Sequence, residues 1–299
     1  MRPGKLKIII FFALVCFIWG STWLGIKIGL EGVPPLLGAG VRFAVAGMLF
    51  LLLILSQRLS LKVNPSGLRL IAVVGGMNFG LSYGCVYWSE LHIASGLASV
   101  LFCVYPFFVA LLAYYWYGLE ELTWRKMTGI TVGFLGIVVI YADQAQRSGQ
   151  ELRGLLAVLL AALASAVSLV YLKKHGHALN TLVMNFYSML LGSVLLLAGA
   201  FLLERGQPIH WSARNISAML YLAVFGSVIA FSLYFHLLKH LRATQMSFVS
   251  LICPVLALLL GAWALQEKVT YKILMGAALV LAGIFIANRE RSASEAHSP

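Results

Sequence analysis

One stretch of this chain occurs twice, and the recurrence limits what the chain can fold into more than any other feature. The first copy reads Glu120-Glu121-Leu122-Thr123-Trp124-Arg125, followed by Gly129 and Gly136-Ile137. The second reads Glu267-Lys268-Val269-Thr270-Tyr271-Lys272, followed by Gly276 and Gly283-Ile284, at a constant offset of 147 residues. Upstream, Pro106 answers Pro254, Ser99 answers Ser247 and His92 answers His240, all at an offset of 148, so one indel separates the two registers. An ordered set of this kind marks an internal duplication of a unit about 147 residues long, and repeats govern the fold that follows.

Composition says what was duplicated. Of 299 residues 61% are hydrophobic and only 11% charged, with a mean hydropathy of +0.91; ordinary soluble domains carry roughly 25% charged residues. Apolar runs of about 18 or more residues, enough to cross a hydrocarbon core, follow one another with short polar breaks. The pattern predicts an all-α integral membrane protein with ten transmembrane helices, near 8–28, 35–56, 68–89, 94–117, 124–142, 153–172, 181–203, 216–238, 242–265 and 271–288. The first is too long and bulky for a cleaved signal peptide and has no small-residue cleavage site. The expected units are 1–142 and 153–290, joined by a linker at 143–152 and followed by a cytoplasmic tail at 291–299. The net charge of +12 does not imply nucleic acid, because no solvated basic domain exists to bind it.

The charge instead sets topology. With the N-terminus inside, fourteen Lys and Arg fall on the cytoplasmic side, Arg58, Lys62, Arg125 and Lys174 among them. Seven, including Lys27, Arg147 and Lys268, fall outside, and Arg42 lies within a span. Positive-inside bias then places both termini in the cytoplasm. Five spans per unit is an odd number, so the second unit enters the membrane inverted. Inverted repeats are a common build of alternating-access transporters, with substrate held where the halves meet.

Two five-helix units carry Trp19-Gly20-Ser21 in the first span, Arg42-Phe43 in the second, and a proline followed by Glu-x-x-Thr and Gly across the fourth and fifth. In these residues the chain resembles the EamA units of the drug/metabolite transporter superfamily, and within it most resembles the YddG-type exporters of aromatic and other neutral amino acids. The resemblance implies a ten-helix basket in a bacterial inner (plasma) membrane. Its central cavity would be lined by spans 1, 3, 4, 6, 8 and 9, with spans 5 and 10 peripheral. It also implies export of a small molecule, most simply an amino acid, with another metabolite or a drug as the alternative. Partners would be that substrate and the lipid bilayer, the protein acting as a monomer without nucleic acid.

The membrane interior offers little reactive chemistry. The one Asp and nine Glu fall in loops, tails or, for Glu90, at the end of a span. Proton-driven carriers usually keep a carboxylate or His near the midplane, so facilitated export is the simpler expectation. No nucleophile–base pair, paired carboxylates or metal-ligand spacing is visible, which argues against an enzyme and predicts neither metal nor cofactor. Cys16, Cys85, Cys103 and Cys253 are isolated in apolar helices. A channel or receptor would not require inverted repeats.

Candidate substrate-contacting residues are therefore polar or aromatic ones inside spans. Trp19 sits near mid-span, too deep for an interface role. Asn78 and Ser82, at i and i+4, share a face that lipid disfavours, beside Tyr83. Ser99, Tyr234 and Ser247 could add hydrogen bonds, although serines in membrane helices often bond the preceding turn. Gly76, Gly80 and Gly84, like Gly129, Gly133, Gly136, Gly276 and Gly283, suit close helix packing. Arg42 lies about 10 Å from the outer end of its helix. Snorkelling to that end is the favoured role for it, and anchoring a substrate carboxylate the alternative. Pro106 and Pro254 remove a backbone hydrogen bond at matching sites and are the candidate hinges of two gates.

Overall fold

The computed structural model describes residues 5–118, 121–144, 149–175, 179–238, 240–241 and 249–288. Ten helical segments cover almost all of them, and the described residues contain no strand. They are α1 (Lys5–Gly29), α2 (Pro35–Ser56), α3 (Pro65–Val73, Val74–Ser82 and Tyr83–Ser89 in continuous succession), α4 (in two pieces, Ser95–Phe102 and Tyr105–Tyr117) and α5 (Trp124–Gln144). The second set is α6 (Gly149–His175), α7 (Thr181–Leu203), α8 (Ala213–Tyr221, Leu222–Ile229 and Ala230–Leu238), α9 (Val249–Leu265) and α10 (Tyr271–Asn288). Seven, α1 to α4 and α6 to α8, are long and apolar enough to cross a membrane, while α9 and α10 are shorter apolar helices. Large apolar side chains such as Leu52, Leu55, Val194, Phe201, Leu202 and Phe285 are left exposed, as expected where the surrounding solvent is hydrocarbon.

Glycines set the closest approaches. A Cβ on Gly129 would lie 2.5 Å from the Gly283 carbonyl, and one on Gly136 would lie 2.6 Å from the Gly276 carbonyl. The start of α5 thus meets the end of α10, and the two helices run antiparallel. Exchanging each glycine for its counterpart 147 residues away turns one contact into the other. The pair is therefore self-complementary in the manner of a two-fold interface. α2 and α7 also lie antiparallel, Gly40 against Leu197 and Gly47 against Leu190, with the Ser193 hydroxyl donating 2.8 Å to the Gly40 carbonyl. Of the stripe on α3, Gly80 and Gly84 face Leu195 and Leu196 of α7, but Gly76 faces open space. Gly75 also packs on α7, where its Cβ would lie 2.9 Å from the Ser188 carbonyl, and a Cβ on Gly192 of α7 would lie 2.4 Å from that of Phe79.

The links between helices gather at two ends. At the Lys27 end, the Glu204 carboxylate accepts from the backbone N–H of Leu36 (2.7 Å) and Leu37 (3.0 Å). Glu267 does the same for Ser95 (2.7 Å) and Gly96 (3.1 Å). Each acid follows a helix of the second half and caps one of the first, meeting orphan N–H groups with opposite charge. Glu204→Ala is expected to lower stability by about 1–2 kcal/mol, read as a lower thermal midpoint in detergent. At the Lys62 end the Tyr187 hydroxyl donates 3.1 Å to the Leu61 carbonyl.

Two departures from α-geometry also recur. Val74–Ser82 of α3 and Leu222–Ile229 of α8 are wound as π-helix, and their starts lie 148 residues apart. Such windings are rare and cluster at functional sites. The prolines behave less symmetrically. Pro106 does not kink a continuous helix: α4 stops at Phe102 and restarts at Tyr105, placing Pro106 in a first turn where its missing N–H costs little. Pro254 lies inside the continuous helix α9.

Candidate functional site

Most of the sequence candidates fall into three groups where α1, α2, α3, α4, α6 and α8 meet. The first is aromatic. Trp19 of α1 packs on Tyr234 and Phe231 of α8, with ring centroids 5.0 and 5.5 Å apart. One turn on, Trp23 meets Phe102, which stacks on Tyr105 at 5.8 Å across the break in α4. Phe231 reaches Phe79 of the π-wound part of α3 at 6.5 Å. Trp19, Phe231, Tyr234 and Phe79 thus form one set of ring contacts across both halves of the chain, and Trp23, Phe102 and Tyr105 a second, several of them half-buried.

The second group is polar. The Ser165 hydroxyl of α6 donates to Asn78 Oδ1 at 2.8 Å and shares a 2.8 Å hydrogen bond with Ser82. Ser82 and Ser165 are buried while Asn78 is partly open. Ser99 is 2% exposed and its hydroxyl has no hydrogen-bond partner among the described residues. Its counterpart Ser247 lies outside the described residues.

The third group surrounds Arg42. The snorkelling expectation is overturned here, because Arg42 is 1% exposed and its guanidinium turns inward rather than to the end of α2. It lies over the rings of Phe43 and Tyr83 at 5.2 and 5.1 Å and donates, at 3.4 Å each, to the Tyr87 and Ser227 hydroxyls. Two π faces and two long hydrogen bonds replace water around the charge. Nε has no partner, and no carboxylate among the described residues forms an ion pair with the group. Ser227 belongs to the π-wound part of α8, and its hydroxyl also donates 3.1 Å to the Leu222 carbonyl. Arg42 therefore braces α2 against α3 and α8 beside the wide turns.

Sequence reasoning does not single out Phe79, Phe102, Tyr105 and Phe231, which look like ordinary core residues until the helices assemble. It also places Glu90 only at the end of a span, and Glu90 is 0% exposed. Among the described residues no group of three or more His, Cys, Asp and Glu could hold a metal ion.

The EamA-like transporter family profile matches residues 6–142 and again residues 152–289. The chain is 28% identical over 282 residues to YoaV of Bacillus subtilis, described as an uncharacterized transporter, covering 94% of this chain and 96% of that one. It is 30% identical over 285 residues to the protein PagO of Salmonella typhimurium, covering 94% and 93%. It is 24% identical over 287 residues to an Escherichia coli protein described as a probable amino-acid metabolite efflux pump, covering 91% and 92%. A crystal structure with 19% sequence identity superposes with a TM-score of 0.67 over 99% of this chain and 100% of the other, a likeness of fold. With its apolar helices and a duplicated unit matched over nearly its whole length, the chain belongs to the EamA-like transporter family and is a multi-pass membrane transporter.

Proposed function

We propose that the protein exports neutral and aromatic amino acids by alternating access, as two inverted five-helix units crossing the membrane ten times in all. The Lys62 end faces the cytoplasm in this reading. The observation that carries it is an aromatic cluster beside a buried guanidinium that forms no ion pair among the described residues. Trp19, Phe231 and Tyr234 offer flat apolar faces to a side chain, and Asn78 and Ser99 offer hydrogen bonds. Arg42 offers a bidentate donor to a carboxylate. The relative described as an amino-acid metabolite efflux pump points the same way, as does the YddG-type resemblance. The outer piece of α4 packs on α9, Gly96 against Leu258 and Ser95 against Gly261, while Pro106 stands where α4 restarts. Pro106 and Pro254 then serve as hinges of gates at opposite ends.

Counterflow in proteoliposomes across a panel of amino acids, other metabolites and cationic drugs tests the substrate. Exchange of aromatic and neutral amino acids is expected, with a substrate gradient alone driving net flux at equal pH and zero potential. Exchange confined to cationic drugs would overturn the substrate class. Topology is tested separately by single cysteines. Those at Lys62 and Lys174 are expected to react from the cytoplasm and those at Arg147 and Lys268 from outside. Reaction of all four from one side would remove the inversion.

A further inference from the structure

At the Lys27 end a carboxylate is buried with nothing to bond. Glu90 opens the short link between α3 and α4, outside both helices, and is 0% exposed. Neither of its carboxylate oxygens has a hydrogen-bond partner. Lys27 of α1, the cation facing it, donates its ammonium instead to the main-chain oxygens of Glu90 and, at 2.9 Å, of Ile93. Glu267, the acid facing it, spends both oxygens on the start of α4. Lys27, Glu90 and Glu267 border one cavity of about 380 Å³, together with Glu31 and three leucines.

A buried carboxylate without donors is costly when ionised and much less so when protonated. Burial holds the Glu90 carboxyl well above the usual carboxylate range, and Glu267 adds to this while Lys27 and Arg42 oppose it. We propose that Glu90 is a proton-binding site of the closure at the Lys27 end, neutral while that end is shut and ionised when it opens.

The neighbouring contacts show how ionisation would act. A charged Glu90 is short of water while this end is shut, and opening, which hydrates it, is then favoured. It also repels Glu267, which holds the end of α9 on the start of α4. That tie across the closure weakens. The remaining charged or titratable groups around it are Arg42 on α2, Tyr87 on α3, Glu31 after α1, and His92 on the same link near Arg153 of α6. Partial burial, Lys27 and Arg153 hold His92 below its ordinary value, so it stays neutral around neutral pH.

The sign of the pH effect follows from linkage. With the end open and wet, Glu90 returns to the ordinary carboxylate range, and closure raises it. The closed form is favoured in full below that range, and the advantage fades as pH climbs towards the raised value. Within that window the closed-to-open ratio falls up to about tenfold per pH unit. The proton enters and leaves at one end, so the gate senses pH without carrying protons across. This fits net flux driven by substrate alone.

The proposal rests on the alternating-access reading, and its test needs no substrate. Spin labels are placed on exposed Gln150 and Lys268 in the full chain, with Cys16, Cys85, Cys103 and Cys253 replaced. Distances are then measured in lipid from about pH 5 to about pH 9. The distribution is expected to move to longer distances as pH rises, and to stay short throughout in Glu90→Gln and in Glu90→Met, a second neutral replacement. His92→Gln is expected to keep the shift. A distance that ignores pH, a shift that survives in both Glu90 variants, or its loss in His92→Gln would overturn the proposal. A failed amino-acid counterflow beside an intact pH shift would remove the substrate and leave the proton site standing.

Discussion

Gly283→Val is expected to abolish the folded protein, leaving no monodisperse peak in detergent. A Cβ at this position meets only backbone: the Gly129 carbonyl at 2.5 Å, the Gly133 nitrogen at 2.6 Å and its Cα at 2.9 Å. No flexible side chain can move aside, so α5 and α10 must part along their length. Overpacking a well-packed site costs about 1–3 kcal/mol. Here the same glycine pairs also supply the van der Waals packing that holds two helices together in lipid, where no hydrophobic drive between helices exists. Gly76→Ala is the matched control, because a Cβ there meets nothing within 4 Å. It is expected to leave the thermal midpoint within a few degrees of wild type, since uncrowded substitutions usually stay within about ±0.5 kcal/mol. A wild-type midpoint for Gly283→Val would mean that α5 and α10 do not pack as described.

Arg42→Met is expected to separate stability from function. The guanidinium is 1% exposed and has no acidic partner among the described residues. Replacing a buried ion pair by apolar side chains of similar volume is often neutral or stabilising by about 1–4 kcal/mol, and Arg42 bears its desolvation cost without such a pair among the described residues. The thermal midpoint should therefore hold or rise. If Arg42 binds a substrate carboxylate, counterflow should fall by about two orders of magnitude or more, since removing a charge-assisted bidentate pair of hydrogen bonds from a dry site costs about 3 kcal/mol or above. Arg42→Lys keeps the charge but not the planar fork over Phe43 and Tyr83, and should recover little transport. Normal counterflow by Arg42→Met would confine the residue to bracing. Loss of folded protein would show the brace to be indispensable and would count against a carboxylate role.

Much of the architecture is legible in the sequence because it depends on local length and periodicity. Each of the ten predicted segments coincides with a helix, α1–α10, of which seven are long and apolar enough to cross a membrane, and the glycine pairs of α5 and α10 are visible as repeated residues. What escapes the sequence depends on residues far apart in the chain. Glu90 shows in the sequence only as the end of a span, yet it is sealed by Lys27 and Glu267, 63 and 177 positions away. Arg42 lies within snorkelling reach of a helix end, but reach says nothing about direction, and Tyr83, Tyr87 and Ser227 decide that. The π windings leave a partial trace in Gly75 and Gly76 of α3 and almost none in Leu222–Ile229, since a wide turn is stabilised by what packs into it. A proline within an apolar run forbids one hydrogen bond, and so Pro106 predicts a kink. The helix instead ends before it, so the missing N–H falls in a first turn.

Alternating access requires one end of the molecule to open while the other is shut. A short bifunctional thiol reagent joining cysteines at Leu91 and Lys268, both exposed at the Lys27 end, would hold that end closed in a background without native cysteines. The cross-link is expected to stop counterflow, and reduction of a cleavable linker is expected to restore it. A third cysteine at Tyr187, at the opposite end, should stay reactive to a membrane-impermeant thiol reagent while the link is in place. Full counterflow with the cross-link intact would contradict alternating access in this protein.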